Sequence, residues 1–141
     1  MEVIVDANIL LAGFLKDATA RELLLDARLR LFAPEHLIME ITSHLQSSAK
    51  LRKRIPLSPE KLQDLFELLT QKIQTVSAAS YKSHFLEAAS LAPHEEDAHY
   101  FALAMLLGIP IWSNDKGMKT QARVKIYSTH ELIAILENWP Q

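Results

Sequence analysis

Five short apolar runs punctuate this chain, separated by stretches whose apolar residues recur at helical spacing, and nothing else constrains the fold as tightly. The runs are Val3-Ile4-Val5, Leu31-Phe32-Ala33, Ile73 to Val76, Ile109 to Trp112 and Val124 to Tyr127. Such short runs, several rich in β-branched residues, suit buried strands. Between them, Leu23, Leu24, Ala27 and Leu31 predict a helix over 18–31, and Leu37, Ile41 and Leu45 mark one face of a helix entered through Pro34. Ser58-Pro59-Glu60 reads as an N-cap, a first-turn proline and an acidic first turn, opening a helix to Lys72 that buries Leu62, Leu65, Phe66 and Leu69. Further helices are predicted over 80–91, from Pro93 to a stop at Gly108, over 116–122 and from Thr129 onward. Strand and helix alternate with no repeat and no internal boundary. The expectation is one α/β domain over residues 1–141, a three-layer α/β/α sandwich around a mainly parallel sheet of four to five strands.

Composition then removes whole classes of function. At 141 residues the chain suits one domain that buries roughly two-thirds of its unfolded surface. It has no cysteine, which excludes disulfides, thiolate metal sites and cysteine nucleophiles. Its three glycines form neither a GxGxxG turn nor a Walker lysine loop, so the common nucleotide-binding readings fall away. No apolar run approaches the ~20 residues of a membrane helix. The opening MEVIVDANILLAGFL carries Glu2 and Asp6 where a signal peptide wants positive charge and an uninterrupted core. A soluble, cytoplasmic protein without a membrane partner is expected. A net charge of −2 argues against a generally basic nucleic-acid binder and leaves local patches open.

Two acids follow predicted strands directly: Asp6 after VIV, and Asp115 after IPIWSN. In open parallel sheets, sites form at those carboxyl ends. Asp97 stands in the first turn of a predicted helix, and Glu40 borders the apolar face marked by Leu37 and Ile41. Each has an ordinary structural use: Asp6 as a helix cap, Asp97 as a complement to the helix dipole, Glu40 as a solvated helix position, Asp115 as a turn residue. Together they make a different case, because no basic residue adjoins Asp6 and four converging carboxylates without cations would repel and protonate. Hard divalent ions with oxygen ligands, Mg²⁺ or Mn²⁺, are the natural remedy.

These stretches carry a resemblance. IVDANILLAGFL is similar to the opening of the PIN-domain (PilT N-terminal) ribonucleases, LIMEITSHL resembles their helix with a single glutamate, and HEEDAHYFALAMLLGIPIWSND resembles their second half. The resemblance covers essentially the whole chain in the right order, and is that of a small single-domain, VapC-like member. It implies that Asp6, Glu40, Asp97 and Asp115 form an acidic catalytic and metal-binding quartet. It implies that Asn8 orients Asp6 or a water, that Ser113 supplies a hydroxyl beside Asp115, and that Glu96 is an extra acid or a helix-start charge. The implied chemistry is Mg²⁺- or Mn²⁺-dependent hydrolysis of RNA phosphodiesters. A homodimer is expected, and a small antitoxin protein if the chain is the toxin of a toxin–antitoxin pair. After Asp115 the run is DKGMK, where small toxins of this family often carry an acid–aromatic pair.

Lys50, Arg52, Lys53 and Arg54 in the run KLRKR are candidates for phosphate contact, with Lys116 and Lys119 nearer the acids. The same run also reads as a solvated helix end. His36, Glu40 and His44 stand at i, i+4 and i+8, and His94 and His99 flank Asp97, which raises a zinc site; no HExxH occurs to support one. Ile9, Leu10, Leu11 and Phe14 read as core or as a partner patch. The rival from another class is a catalytically inactive module of the same fold, acting through RNA or protein contacts.

Overall fold

Strands β1 (Glu2–Val5), β2 (Arg30–Pro34), β3 (Ile73–Val76), β4 (Ile111–Trp112) and β5 (Ile126–Tyr127) form, among the described residues, a five-stranded sheet in the order β3-β2-β1-β4-β5. Every pairing is parallel. The computed structural model describes residues 1–15, 17–55 and 57–140, with backbone only at 42, 44, 46, 51 and 52. The chain builds outward from β1 through β2 to β3, then returns to lay β4 against the other side of β1. That reversal opens a crevice at the carboxyl ends of β1 and β4, the place where open parallel sheets bind ligands. Val5 pairs with Trp112, and the Asp6 amide donates to the Trp112 carbonyl at 3.1 Å, so Asp6 and Ser113 leave the sheet side by side.

The helices are α1 (Ala7–Leu15), α2 (Ala18–Leu24), α3 (Glu35–Ser47), α4 (Ala49–Arg54), α5 (Pro59–Lys72), α6 (Ala78–Tyr81), α7 (Phe85–Leu91), α8 (Ala98–Leu107) and α9 (Thr129–Glu137). Because side chains alternate along a strand, Val3 and Val5 face one way and Ile4 the other. Val3, Val5, Leu31, Ala33 and Trp112 pack with Ile9, Leu10 and Phe14 of α1, Ile41 and Leu45 of α3, Leu69 of α5 and Leu132 and Leu136 of α9. Ile4, Phe32, Ile111 and Ile126 pack on the opposite face with α8 and with Tyr81 and Ala88. The expected three-layer sandwich is therefore present, all-parallel and with five strands. Ile9, Leu10 and Phe14 are core residues.

α8 is nearly all apolar because it is buried on most sides: Ala98 and every residue from Tyr100 to Ala104 are enclosed. Gly108 ends it in the left-handed conformation (φ 66°), its amide returning to the Ala104 carbonyl at 2.8 Å. The Ser58 cap and first-turn Pro59 of α5 are as expected, and Ser128 forms a full capping box with Glu131 at the start of α9.

Several boundaries differ from the sequence reading. The helix expected over 18–31 stops at Leu24, and Leu31 belongs to β2, whose pairing with β1 and β3 outweighs helical spacing. Pro34 is the last residue of β2, paired with Val76, and not a first-turn helix residue. The helix expected over 80–91 is broken into α6, a 3₁₀ turn at Lys82–His84 and α7. Pro93 and His94 precede their helix: a 3₁₀ turn spans Glu95–Asp97 and α8 begins at Ala98. The helix expected over 116–122 is a 3₁₀ turn over Lys116–Thr120.

Candidate metal centre

Asp6 is almost wholly enclosed, and its two oxygens have separate uses. Oδ1 accepts the Asn8 amide at 3.0 Å, while the Asp6 carbonyl accepts the Ile9 amide, so the residue caps α1. Oδ2 accepts the Ser113 hydroxyl at 2.6 Å. Burial pushes the Asp6 carboxyl above its ordinary range, the bonds from Ser113 and Asn8 pull it back, and the Asp115 charge adds to the rise. One oxygen thus serves the cap and the other the link to Ser113.

Asp115 also performs its expected turn role: Oδ1 accepts the Gly117 amide at 2.9 Å, and its own amide donates to Ser113 Oγ at 3.1 Å. The bend is held from behind by Asn114, whose Oδ1 accepts the Thr129 amide at 2.8 Å at the start of α9. Ser113 is thereby a buried hinge between two acids, donating to one and receiving from the backbone of the other.

Asp97 differs. It precedes α8 but makes no side-chain cap bond, and its Oδ2 is buried with no hydrogen-bond partner. Burial raises its carboxyl first of all, then the charges of Asp6 and Asp115; His94 offsets part of this and Glu96 adds a little. A buried polar atom without a partner is costly and calls for an explanation. Ligand atoms of His94, Asp97 and Asp115 all lie within 4.8 Å of one another, the group of this kind found among the described residues. Two raised carboxyls beside a third acid, one of them with an orphaned oxygen, fit a divalent cation.

Tyr100, one turn along α8, was not singled out from the sequence. Its buried hydroxyl accepts the Ala7 amide at 2.9 Å, fastening the start of α1 beside Asp6. Burial pushes the phenol far up, and the charges of Asp6, Asp97 and Glu40 push in the same direction, so the hydroxyl stays protonated. The signal in the sequence was a polar-tipped aromatic three residues after Asp97, on the same helical face.

The remaining candidates stand as follows. Glu40 is exposed on α3, and its charge is felt at Tyr100 and His99 but is not among the causes that raise Asp6 or Asp97. Asn8 meets Asp6 through its backbone amide, and its side chain is exposed, as is that of Glu96. His36 lies 4.1 Å from His99, ring centre to ring centre, and His99 Nδ1 is 2.8 Å from the Tyr81 hydroxyl. The side chains of His44 and Arg52 lie outside the described residues. Lys50, Lys53 and Arg54 are exposed on α4, reached through the 13 residues of α3, a helix roughly 20 Å long. Lys116 is exposed directly beside Asp115, whereas Lys119 is paired with Glu131.

The family model described as PIN domain matches residues 4–135, and the chain belongs to that family, whose members are generally metal-dependent nucleases acting on RNA. A comparison with curated proteins finds no match. Among the described residues no helix is long and apolar enough to cross a membrane.

Proposed function

We propose that this protein is a metal-dependent endoribonuclease whose centre is Asp6, Asp97 and Asp115, with Glu40 completing an acidic quartet at its edge. The observation that carries the reading is the buried, unpartnered Oδ2 of Asp97, beside the charges of Asp6 and Asp115. No ordinary structural use remains for that atom. The residues fit a divalent ion, Mg²⁺ or Mn²⁺, which when bound supplies Lewis acidity toward water and toward a phosphodiester.

The chain's own groups do the positioning. Ser113 keeps Asp6 turned into the crevice and keeps the Asp115 backbone at hydrogen-bond distance. Tyr100 holds the first amide of α1 and so fixes the backbone immediately after Asp6. Lys116, exposed beside Asp115, is proposed to meet a phosphate, and Lys50, Arg52, Lys53 and Arg54 to extend the RNA contact if the strand runs along α3. Asn8 and Glu96, exposed and close in sequence to Asp6 and Asp97, are assigned to the approach in this reading.

Cleavage of single-stranded RNA by the purified chain with Mn²⁺ or Mg²⁺ tests the reading. EDTA and the substitution Asp97→Asn should each abolish it. Cleavage that survives both would overturn the mechanism. A toxin role, with a homodimer, a small antitoxin and a cytoplasmic site of action, belongs to the same proposal. Growth arrest on expression that Asp97→Asn relieves is its test.

A further inference from the structure

We propose that His94 is a ligand of this centre and that it biases the site toward first-row transition ions such as Mn²⁺ over Mg²⁺. The inference rests on the metal-dependent reading above and deepens it by naming the class of cation. His94 stands in extended backbone (φ −131°, ψ 149°) immediately before the turn that carries Asp97. It is exposed, so its ring needs no desolvation to face the crevice. A ring nitrogen lies within 4.8 Å of ligand oxygens from both Asp97 and Asp115. Yet among the described residues no hydrogen bond or ion pair joins His94 to either acid. Oδ2 of Asp97 is left unpartnered with this imidazole nearby. That spacing suits groups arranged around an ion better than groups bonded to each other.

The ligand type decides the preference. Mg²⁺ takes oxygen ligands and keeps several waters, whereas a nitrogen ligand is better accepted by first-row transition ions, whose affinity rises from Mn²⁺ to Cu²⁺ and falls at Zn²⁺. A centre of carboxylates alone is built for hard ions, and replacing one oxygen by a nitrogen tilts it toward the softer ones. His36 and His99, which lie against each other on the neighbouring helices, do not join this group.

The test is calorimetric titration of the metal-free chain with Mn²⁺ and with Mg²⁺, comparing wild type with His94→Gln. Removing even an indirect support of a metal ligand costs about 10–100-fold in affinity. His94→Gln should therefore lose about tenfold or more for Mn²⁺ and keep its Mg²⁺ affinity nearly unchanged. Pulsed EPR of bound Mn²⁺ adds a readout that a structural role would not move: nitrogen hyperfine coupling in wild type, absent in His94→Gln. Equal losses for both ions, or coupling that persists in the variant, would overturn the inference. Binding of neither ion by wild type would overturn the metal-dependent reading with it. Unchanged Mn²⁺ affinity in His94→Gln would sink the His94 assignment alone.

Discussion

The Ser113 hydroxyl donates to Oδ2 of Asp6 across 2.6 Å, joining the carboxyl ends of β4 and β1 through two residues 107 positions apart. The Ser113 hydroxyl oxygen in turn accepts the Asp115 amide at 3.1 Å. One buried hydroxyl therefore sets the spacing of two acids that repel each other.

Ser113→Ala should leave a buried carboxylate oxygen and an amide without that partner, at a cost of about 1–3 kcal/mol. Urea denaturation measures it. Ser113→Thr, which retains the hydroxyl, should recover most of the loss; equal instability of both variants would mean that volume, not the hydrogen bond, matters at this position.

Asp97→Asn should stabilise the metal-free protein, because it removes a buried charge that Asp6 and Asp115 oppose. It should also remove stabilisation by metal, which for wild type reaches about 2.7 kcal/mol at a hundredfold excess over Kd. Thermal melts with EDTA and then with Mn²⁺ show both effects. A lower midpoint for the metal-free variant would contradict the electrostatic account.

Tyr100→Phe should cost about 1–3 kcal/mol by stranding the Ala7 amide at the start of α1. Helical content should be unchanged by circular dichroism, while RNA cleavage slows because Asp6 is held less firmly. Wild-type cleavage rates in Tyr100→Phe would remove the residue from the positioning scheme.

The pH dependence should change sign with the region of the molecule. Asp6 and Asp97 have raised carboxyls, so the metal-free folded state holds protons that the unfolded chain releases. Their charge costs stability at neutral pH, and that cost fades as pH falls toward the ordinary value of 3.8. Asp26, bonded by Arg28, and Glu131, bonded by Lys119, are each lowered to about 2. Their contribution is present above the ordinary carboxylate range and disappears as pH falls through about 2. Both are exposed enough that solvent keeps it small. Denaturation midpoints from neutral pH downward should therefore rise first and then fall. Mn²⁺, competing with the protons, should flatten the rise.

The strands were legible because buried β-branched runs look alike in any context, and Ile73–Val76 matches its expected bounds. Asp6 and Asp115 were legible by position, directly after such runs. What escaped depends on contacts between distant segments. The 18–31 periodicity could not reveal that Leu31 pairs with Val3 and Ile73. Nor could the spacing in HEEDAHY show that the first turn is 3₁₀, which sets His94 outside the helix. Tyr100 reads as core from its neighbours, and only the fold reveals that its hydroxyl meets Ala7, 93 positions away.

The strand order β3-β2-β1-β4-β5 also has a consequence in time. During synthesis β1, β2 and β3 emerge first and can pair with one another, but one side of β1 stays open until β4 is made. Asp6 then waits beside an empty edge until Ser113, 107 positions further on, is made, with neither Ser113 to hold it nor Asp115 to face it. The carboxylate cluster is a property of the finished sheet, assembled only once β4 has paired with β1.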